Sequence, residues 1–400
     1  MHIGALMKNI DPLVEAILPG IVDLRHDLHQ HPELGYEEFR TARRVLEHLS
    51  EIPDLDLRTG VAETGIIATL GPEKSGPCVA LRADMDALPI EEESDLPYKS
   101  QVSGKMHACG HDGHTSCLVG AAKVLAQCTD ELAGPVKFIF QPAEEVGAGG
   151  RRLYEEGALE NPKAQAIFGL HGAPNLPQGQ IGTCPGSFLA SADTFQIDIQ
   201  GQGAHAAFPH TGIDPVLIAS HIVVALQSIV SRNIDPLSQA VVTVGQIIGG
   251  TATNVIPSTA QLKGTVRALD EDVRAHVLER VVHIATHTAE SLNGSAEVHF
   301  EDGYPVLNNN EQAKQTLETI VAQTKTAKII DLLPVMGAED FAFYAEQIPG
   351  MFFMLGLLPQ GHTDAPGLHN PSFNFADGAL SHGIKLHVEI ARNFASVWDQ

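Results

Sequence analysis

The sequence predicts an α/β protein with two domains. The larger domain is expected to contain a mostly parallel sheet covered by helices, and a smaller ferredoxin-like α+β domain is expected to be inserted into it. Two observations predict this organisation: the 400 residues exceed the size at which one hydrophobic core keeps growing, and the strand pattern changes near Ala190. The predicted boundaries are 1–188 and 301–400 for the larger domain and 189–300 for the inserted one.

The larger domain is predicted from strands that are apolar almost throughout, a pattern typical of parallel strands buried on both faces. They are expected at Gly65–Leu70, Cys78–Ala83, Val136–Phe140, Ala166–Leu170 and, after the insertion, Met351–Gly356. Helical periodicity predicts helices over Val14–Leu28, Glu37–Leu49 and Thr115–Ala126. Strands that alternate with helices indicate a parallel sheet.

In the inserted domain the strands alternate apolar and polar residues, which is typical of a sheet with one solvated face. The order of elements between Ala190 and Phe300 is β-α-β-β-α-β, the ferredoxin-like arrangement. Asp214 is expected to cap the first helix, because it precedes Pro215 at the first helical position. The remaining elements are predicted at Ala240–Ile247, Thr259–Ala268, Glu271–Leu292 and Glu297–Phe300.

Composition and charge argue against several classes of partner. The net charge of −24, from 25 basic and 49 acidic residues, would repel both nucleic acid and an anionic membrane. The five cysteines are odd in number and irregularly spaced, so a reducing compartment is expected rather than a disulfide framework. Asp11 and Glu15 interrupt the apolar residues of Met1–Gly20, which predicts neither a signal peptide nor a membrane span. We therefore expect a cytoplasmic protein with no nucleic-acid or membrane partner.

Side chains suited to metal binding follow the predicted strands of the larger domain. They are Asp84 and Asp86 after the second strand, Cys109 and His111 before the Thr115 helix, Glu144 and Glu145 after the third strand, His171 after the fourth, and His369 in a later turn-rich loop. Ligands of open α/β sheets bind outside the carboxyl ends of the strands, so these side chains are expected to converge. Thiolate, imidazole and carboxylate together favour Zn, Mn, Co or Ni over Ca or Mg.

The adjacent Glu144 and Glu145 indicate hydrolysis. One carboxylate can bind a metal while its neighbour accepts a proton from an activated water. A metal ligand and a general base placed together in this way can hydrolyse an amide. Considered singly, Cys109 is more typical of a small buried apolar residue, His171 of a core histidine, and the two glutamates of a solvated pair. Their coincidence at the strand ends of one sheet favours a metal site.

Three further candidates, His205, Asn254 and Arg267, lie in the inserted domain. The functional interpretation is a clamp for an anion or oxyanion, since arginine matches carboxylates and histidine or asparagine can donate to developing negative charge. The structural interpretation is loop packing for His205 and Asn254 and a surface salt bridge for Arg267. The residues alone do not decide between the two.

Together these motifs resemble those of the aminoacylase and carboxypeptidase-G family of dinuclear metallohydrolases (peptidase clan MH). Within that family the sequence is similar to the hippurate hydrolase and indole-acetyl-amino-acid hydrolase subgroup. The resemblance covers nearly the whole chain in order. Its stretches include H-P-E-L-G-Y-E-E from His31, R-A-D-M-D-A-L-P from Arg82, M-H-A-C-G-H-D-G-H-T from Met106, F-Q-P-A-E-E from Phe140, G-L-H from Gly169, G-Q-G-A-H-A from Gly201, T-A-T-N-V-I-P from Thr251, G-T-V-R from Gly264, M-G-A-E-D-F from Met336 and L-H-N-P from Leu368.

The resemblance implies two divalent metal ions per chain, of Zn, Mn, Co or Ni, with Cys109 bridging them. Glu145 and His369 would complete one site, and His111 and His171 would complete the other. Glu144 would be the general base.

One departure from the wider family concerns the second strand. Most members have His-x-Asp there, with the histidine as a ligand, and a bridging aspartate in place of Cys109. Here Asp84 occupies the histidine position and receives no ligand role, whereas Asp86 is expected to orient a ligand histidine.

The resemblance also implies a hydrolase of the amide bond of small N-acyl amino acids, hippurate-like conjugates among them. Metallo-carboxypeptidase or dipeptidase activity on short peptides is the alternative. The inserted domain would act as a lid and as the contact of a homodimer or homotetramer, with His205 and Asn254 stabilising an oxyanion and Arg267 facing the substrate carboxylate. Two other classes stay open: a non-catalytic binding protein, and a cysteine-nucleophile amidase built on Cys109.

Overall fold

The computed structural model describes residues 7–398. Met1–Gly20, the stretch predicted to hold no targeting segment, is therefore described only from Met7 onward, and its first six residues lie outside the described part. In chain order the helices are α1 (Asp11–Gln30), α2 (Phe39–Leu49), α3 (His111–Ala126), α4 (Gly149–Glu155), α5 (Pro215–Ser228), α6 (Glu271–Ser291), α7 (Glu311–Thr324), α8 (Ala342–Ala345) and α9 (Leu380–Trp398).

The strands alternate with these helices along the chain. They are β1 (Asp56–Val61), β2 (Gly65–Leu70), β3 (Cys78–Asp84), β4 (Val136–Gln141), β5 (Ala164–Pro177), β6 (Gln180–Thr183), β7 (Gly186–Leu189), β8 (Ala192–Gln200), β9 (Ala204–His205), β10 (Ala240–Gly249), β11 (Val255–Ile256), β12 (Thr259–Ala268), β13 (Ser295–Tyr304), β14 (Leu307–Asn309), β15 (Lys328–Asp331) and β16 (Gly350–Leu358).

The chain divides into two compact units. The smaller unit comprises Ser187–Leu307 together with Pro334–Glu339, and the larger unit comprises the other described residues. The boundaries differ from the predicted 189–300, because β13 continues past Phe300 and a later segment returns to the smaller unit. That segment is held by the backbone, since Val335 N–H donates to the carbonyl of Phe188 at 3.0 Å.

The larger unit is built on one eight-stranded sheet with the order β1-β2-β4-β3-β5-β16-β6-β15. Its centre is parallel, since β4, β3, β5 and β16 are successive parallel neighbours. Every residue of β3 and β4 is buried, as expected for strands covered on both faces. The predicted α/β class with a mostly parallel sheet is confirmed for this unit.

One predicted strand differs in direction. Gly65–Leu70 was expected to belong to the parallel set, but β2 pairs antiparallel with both β1 and β4. The reason is the length of its connection, because only three residues separate β1 from β2 and a parallel crossover needs a dozen or more. β2 therefore forms a hairpin with β1 at the edge of the sheet.

Helices α1, α3 and α9 pack against one another and against the sheet. Leu24 of α1, Leu118 of α3 and Ile384 of α9 are all buried in the same apolar cluster as Leu81 and Phe138 of the strands. Burying side chains of this size stabilises the fold by about 1.5–3 kcal/mol each. This core fixes α3, and hence the residues at its N-terminus, relative to the strand ends.

The smaller unit contains the antiparallel sheet β10-β12-β8-β13 with helices α5 and α6. Its element order is β-α-β-β-α-β, so the predicted ferredoxin-like fold is confirmed. Phe195, Ile197 and Leu262 form the buried face of the sheet with both helices. Asp214 caps α5 as predicted, because its carboxylate accepts hydrogen bonds from the N–H groups of Val216 and Leu217 at 2.9 and 3.2 Å.

One segment, Pro215–Asn233, is long and apolar enough to cross a membrane by length and composition, with a mean hydropathy of 1.5. A third of this segment is buried within the protein. Ile218, Ile222 and Leu226 lie in the core of the smaller unit. A single segment of this kind is weak evidence of a span, because core helices of soluble proteins pass the same test.

Candidate metal centre

The candidate site lies at the carboxyl ends of β3, β4 and β5, which are neighbouring strands of the larger sheet. Asp84 ends β3, and Glu144 and Glu145 follow β4. His171 was expected just after its strand but lies within β5, because that strand continues to Pro177. Parallel strands deliver these side chains to one edge of the sheet, where open α/β sheets bind ligands.

Helix α3 begins at His111, four residues earlier than predicted. Gly110 precedes it with φ of +92°, a left-handed conformation that favours glycine. Gly113 allows close packing, because a Cβ there would lie 2.3 Å from the ring of Phe375. His111 and His114 therefore lie in the first turn of a buried helix, which fixes their positions.

Cys109 is shared by two groups of potential ligands. The ligand atoms of Cys109, His111 and His171 lie within 4.8 Å of one another, and so do those of Cys109, Glu145 and His369. The first group is buried, whereas His369 in the second is about half exposed. The two groups of potential ligands therefore meet at one sulfur atom.

The free lone pair of His171 points at the sulfur. Its Nδ1–H donates to the carbonyl of Gly172 at 3.0 Å, which leaves Nε2 unprotonated in the neutral ring, and Nε2 lies 3.3 Å from Cys109 Sγ. Burial, assisted by the nearby His114 and His111, lowers the pKa of His171 to about 3. The ring is therefore neutral at physiological pH, the form in which imidazole binds metals.

His111 lies among carboxylates. Its Nδ1 is 3.3 Å from Asp86 Oδ1, and its Nε2 is 3.9 Å from Glu145 Oε1. Burial by itself lowers the pKa of His111, but Asp84, Asp86 and Glu145 outweigh it and raise the pKa to about 10. Within residues 7–398 neither ring nitrogen has a hydrogen-bond partner of acceptable geometry. The surroundings of this ring are thus electrostatically suited to a positive charge.

The nearby charges also shift the pKa values of the other potential ligands. Burial, together with Glu145 and Glu144, raises the pKa of the Cys109 thiol well above its usual value. Burial also raises the pKa of Glu145, but the hydrogen bond from His369 and the charge of His111 outweigh it and lower that pKa. His369 Nε2 lies 3.3 Å from Glu145 Oε1.

The donor set fits divalent transition metals. It combines a thiol, three imidazoles and a carboxylate, the ligand types preferred by zinc and related ions. A bound cation would favour the thiolate of Cys109 and offset the crowded carboxylates. It would also supply a partner for a buried ring nitrogen of His111, which has no hydrogen bond among the described residues.

Two buried carboxylates hold the loop that carries Glu144 and Glu145. Asp86 accepts hydrogen bonds from the N–H groups of both glutamates, at 3.0 Å each. Glu38 accepts the preceding N–H, that of Ala143, at 2.8 Å, where the backbone has φ of +52°. Burial raises the pKa of Glu38 to about 7. Hydrogen bonds from three consecutive N–H groups therefore hold the backbone from which both glutamate side chains project.

Asp84 and His114 are hydrogen-bonded to each other. Asp84 Oδ1 accepts from His114 Nδ1 at 2.7 Å, and Oδ2 accepts from Arg82 at 2.7 Å. The other ring nitrogen, His114 Nε2, accepts the N–H of Gly172 at 2.8 Å. Although both residues lie close to His111, protein groups already occupy their ligand atoms. Asp84 thus supports His114 and Arg82 through hydrogen bonds within the protein.

His205, Asn254 and Arg267 lie in the smaller unit. His205 ends β9, which pairs with β11, and the Asn254 carbonyl accepts the N–H of Ala206 at 3.0 Å, so these two residues are brought to one ribbon. His205 Nδ1 accepts the N–H of Ala207 at 3.1 Å, which leaves Nε2 as the donor of the neutral ring. Both side chains are exposed.

Arg267 is half-buried on β12. It donates to the hydroxyl of Thr265 and to the carbonyl of Val266, and burial lowers its pKa. It makes no ion pair within the described residues, because the nearby Asp193 is held by Arg274 at 2.7 Å. The surface salt bridge considered from the sequence is therefore not present there.

The sequence interpretation gave no role to several residues that support the site. Glu38 and His114 occur in motifs that it singled out, yet their contacts join segments far apart in the chain. The same holds for Asp340, which accepts from Arg82 at 2.9 Å and from the Gly150 N–H at 2.8 Å. The acidic residues of H-P-E-L-G-Y-E-E and M-G-A-E-D-F were the available signal, but spacing does not reveal their partners.

Thiol, imidazole and carboxylate donors at the strand ends, with a further buried glutamate beside them, define the class of metal-dependent hydrolases. The chain belongs to peptidase family M20/M25/M40, because the sequence model of that family matches residues 80–393.

Relatives of established name support the same class. N-acetyl-L-cysteine deacetylase of Bacillus subtilis (strain 168) is 42% identical over 360 residues, which cover 90% of this chain and 84% of that protein. IAA-amino acid hydrolase ILR1-like 2 of Arabidopsis thaliana is 42% identical over 376 residues, which cover 93% and 84% respectively. The chain is a metal-dependent amide hydrolase of this family.

Among solved structures, the chain is similar to a dinuclear metal-binding peptidase of the M20 family from Bacillus subtilis. The TM-score is 0.83 at 35% identity, and the match covers 96% of this chain and 99% of that one. This similarity supports the binding of divalent metal by the present chain.

Proposed function

We propose that the chain hydrolyses the amide bond of N-acyl amino acids, with two divalent ions held by the larger unit and Glu144 as general base. The observation that carries the proposal is the pair of donor clusters sharing Cys109, with Glu144 buried beside them. Two relatives named for N-acetyl-L-cysteine and for IAA-amino acids support an acyl amino acid as substrate. Hippurate-like aromatic conjugates are the expected subgroup.

In this proposal His111 and His171 would hold one ion, Glu145 and His369 would hold the other, and the thiolate of Cys109 would serve both. Zn, Mn, Co and Ni all suit this donor set. Divalent ions supply a water of lowered pKa and a polarised amide carbonyl when bound.

The protein's own groups move the protons. Glu144 accepts the proton of the attacking water and then returns it to the leaving nitrogen. Asp86 supports this step in two ways, because it accepts the N–H of Glu144 and lies 3.3 Å from His111 Nδ1. It therefore orients a ligand and the base together.

We assign substrate roles to three residues of the smaller unit. His205, with Nε2 as its donor, and Asn254 stabilise the oxyanion, and Arg267, which lacks an ion pair among the described residues, binds the substrate carboxylate. The smaller unit acts as a lid.

We also propose a homodimer or homotetramer through the smaller unit, in the cytoplasm. Its edge strand β10 exposes Ile247 and Ile248, and α5 exposes Val224. Exposed apolar groups beside an unpaired strand edge are suited to association with a second copy. Light scattering on the purified chain tests this part of the proposal.

The alternative function is a metallo-carboxypeptidase or dipeptidase, favoured by the name of the similar M20 peptidase structure. A panel of hippurate, N-acetyl and long-acyl amino acids and dipeptides, assayed with added Zn, Mn, Co or Ni, separates the two. Our proposal expects the highest kcat/KM for an acyl amino acid. A dipeptide as the best substrate supports the alternative.

Chelation tests the role of metal. We expect activity to be lost on removal of divalent ions and restored by adding them, whereas thiol alkylation of the metal-loaded enzyme has little effect. A cysteine nucleophile at Cys109 predicts the reverse, and a non-catalytic binding protein predicts no turnover of any member of the panel.

Glu144→Gln tests the general base. The variant should keep the metals of the wild type and lose about 10²–10⁴ in kcat, because removal of general-base catalysis alone costs that much. Elemental analysis and kcat are measured on the same preparation. Near-normal turnover in a metal-replete variant contradicts the assignment.

A further inference from the structure

Helix α6 carries a pair of exposed histidines in contact with each other, outside the candidate metal centre. His283 and His287 are four positions apart, and Glu290 lies three positions after His287. Residues spaced by three or four positions are neighbours on a helix surface. The two rings are in contact, with centroids 4.3 Å apart.

Glu290 selects the nitrogen that His287 presents. His287 Nδ1 lies 2.9 Å from Glu290 Oε2, so in the neutral ring Nδ1–H donates to the carboxylate and Nε2 keeps its lone pair. A carboxylate behind a histidine in this way fixes the orientation of the ring as a metal ligand. The side chains of His287 and Glu290 are more than half exposed, so water can complete a coordination shell.

The surroundings do not oppose a cation. Arg280 is one turn before His283, but its Nε donates to Asn233 at 3.3 Å, so its charge is directed towards another segment. The chain as a whole carries a net charge of −24. Two imidazoles at i and i+4 on one helix face are a known zinc-binding arrangement.

We propose that His283 and His287 chelate a late first-row transition-metal cation, Zn²⁺, Ni²⁺, Co²⁺ or Cu²⁺, on the surface of α6, with Glu290 orienting His287. This site has two protein ligands and an open coordination sphere. It therefore binds metal more weakly than the buried centre and exchanges it with solvent. The proposal does not depend on the reaction catalysed.

Retention on immobilised Ni²⁺ tests the site directly, because the resin-bound ion keeps open coordination positions that a pair of exposed imidazoles can fill. The untagged, metal-loaded enzyme should be retained and should elute with imidazole. His283→Ala and His287→Ala should each elute in the wash. His276→Ala is the matched control, since His276 is exposed on the same helix but has Arg280 at the i+4 position; it should elute with the wild type.

Zn²⁺ titration of the metal-loaded enzyme gives a second readout. The wild type should show one weak equivalent beyond the buried metals, absent in His283→Ala, and Glu290→Gln should weaken it by about tenfold, as loss of an orienting carboxylate does. Melting temperatures and amide hydrolysis should be unchanged in all four variants. Wild-type protein that is not retained on Ni²⁺, or a His276→Ala variant as impaired as the other two, overturns the proposal.

Discussion

At the scale of single residues, Glu38 supports Glu144 through the backbone. Its Oε1 accepts the N–H of Ala143, while its Oε2 accepts the hydroxyl of Thr64 at 2.6 Å. Ala143 has a positive φ. For a residue with a Cβ atom this conformation costs free energy, and it persists only where the surrounding structure stabilises it. The buried carboxyl group supplies that support.

Glu38→Ala should therefore lower kcat by about tenfold or more, because a buried N–H left without its acceptor costs about 1–3 kcal/mol. KM should change little, since Glu38 is a positioning residue. Glu38→Gln keeps an acceptor for Ala143 N–H and should retain most of the activity. Steady-state kinetics on both variants checks this. Equal losses in the two would show that the charge of Glu38, rather than its hydrogen bond, is what matters.

Replacement of the ligand residues should remove metal as well as activity. We expect Glu145→Ala and His171→Ala each to bind fewer ions than the wild type, because each removes a donor from one cluster around Cys109. Glu144→Gln is the control, since it alters the neighbouring carboxylate and should keep full metal content. Elemental analysis follows dialysis that strips loosely bound ions. Wild-type metal content in both ligand variants would refute the ligand scheme.

At the scale of elements, α1 is fastened to the base of the site by buried charges. His29 Nδ1 lies 3.0 Å from Asp112 Oδ2, and its Nε2 lies 3.3 Å from Glu92 Oε1. Arg25, also fully buried, pairs with the same Asp112. Burial alone lowers the pKa of His29, but the hydrogen bonds to Asp112 and Glu92 outweigh it and raise the pKa to about 9.

This pKa predicts that stability falls at alkaline pH. Between the unfolded value of 6.5 and about 9, folded His29 holds a proton that the unfolded chain releases, so its contribution is complete below 6.5 and lost above 9. The loss amounts to about 3 kcal/mol at most. Denaturant unfolding at pH 6 and pH 9.5 measures it. His29→Gln should show a smaller decrease, and an equal decrease in both proteins would exclude His29 as the cause.

The sequence predicts the elements in which burial produces a clear pattern of apolar residues. β2, β3 and β4 are buried at every position, so an unbroken apolar run identified them. β1 is mostly exposed, and β6 and β15 have four residues each, too few to show a period. Helices α7 and α9 are not among the predicted elements, although the spacing of Leu317, Ile320 and Val321 carries a helical signal.

At the scale of the whole molecule, the parallel sheet explains why the candidate ligand residues could be recognised from the sequence. Parallel strands bring their carboxyl ends together whatever separates them in sequence, so residues following several strands could be grouped before the structure was known. The supports of those residues could not be grouped in this way. Glu38 meets Ala143, and Arg82 meets Asp340, through tertiary packing that no local spacing encodes.

The Arg267 proposal also concerns the whole chain, because Arg267 belongs to the smaller unit and the proposed metal ligands to the larger one. Arg267 is half-buried, and Asp193, the acidic residue near it, is engaged with Arg274. Its guanidinium is thus partly desolvated and has no ion pair within the described residues. A substrate carboxylate would supply that missing charge, and a bidentate pair of this kind is a strong contact.

Arg267→Ala should lower kcat/KM for an N-acyl amino acid by an amount equivalent to about 2–5 kcal/mol, the usual cost of losing one partner of a desolvated charge pair. The matching N-acyl amino amide, which has no carboxylate, should be hydrolysed almost as before. Arg267→Lys should restore only part of the loss, because a point charge cannot reproduce the guanidinium fork. The melting temperature of Arg267→Ala, measured alongside, is the control for a structural effect, which would lower stability and reduce hydrolysis of acid and amide alike. If Arg267→Ala reduces hydrolysis of acid and amide equally, Arg267 does not recognise the carboxylate.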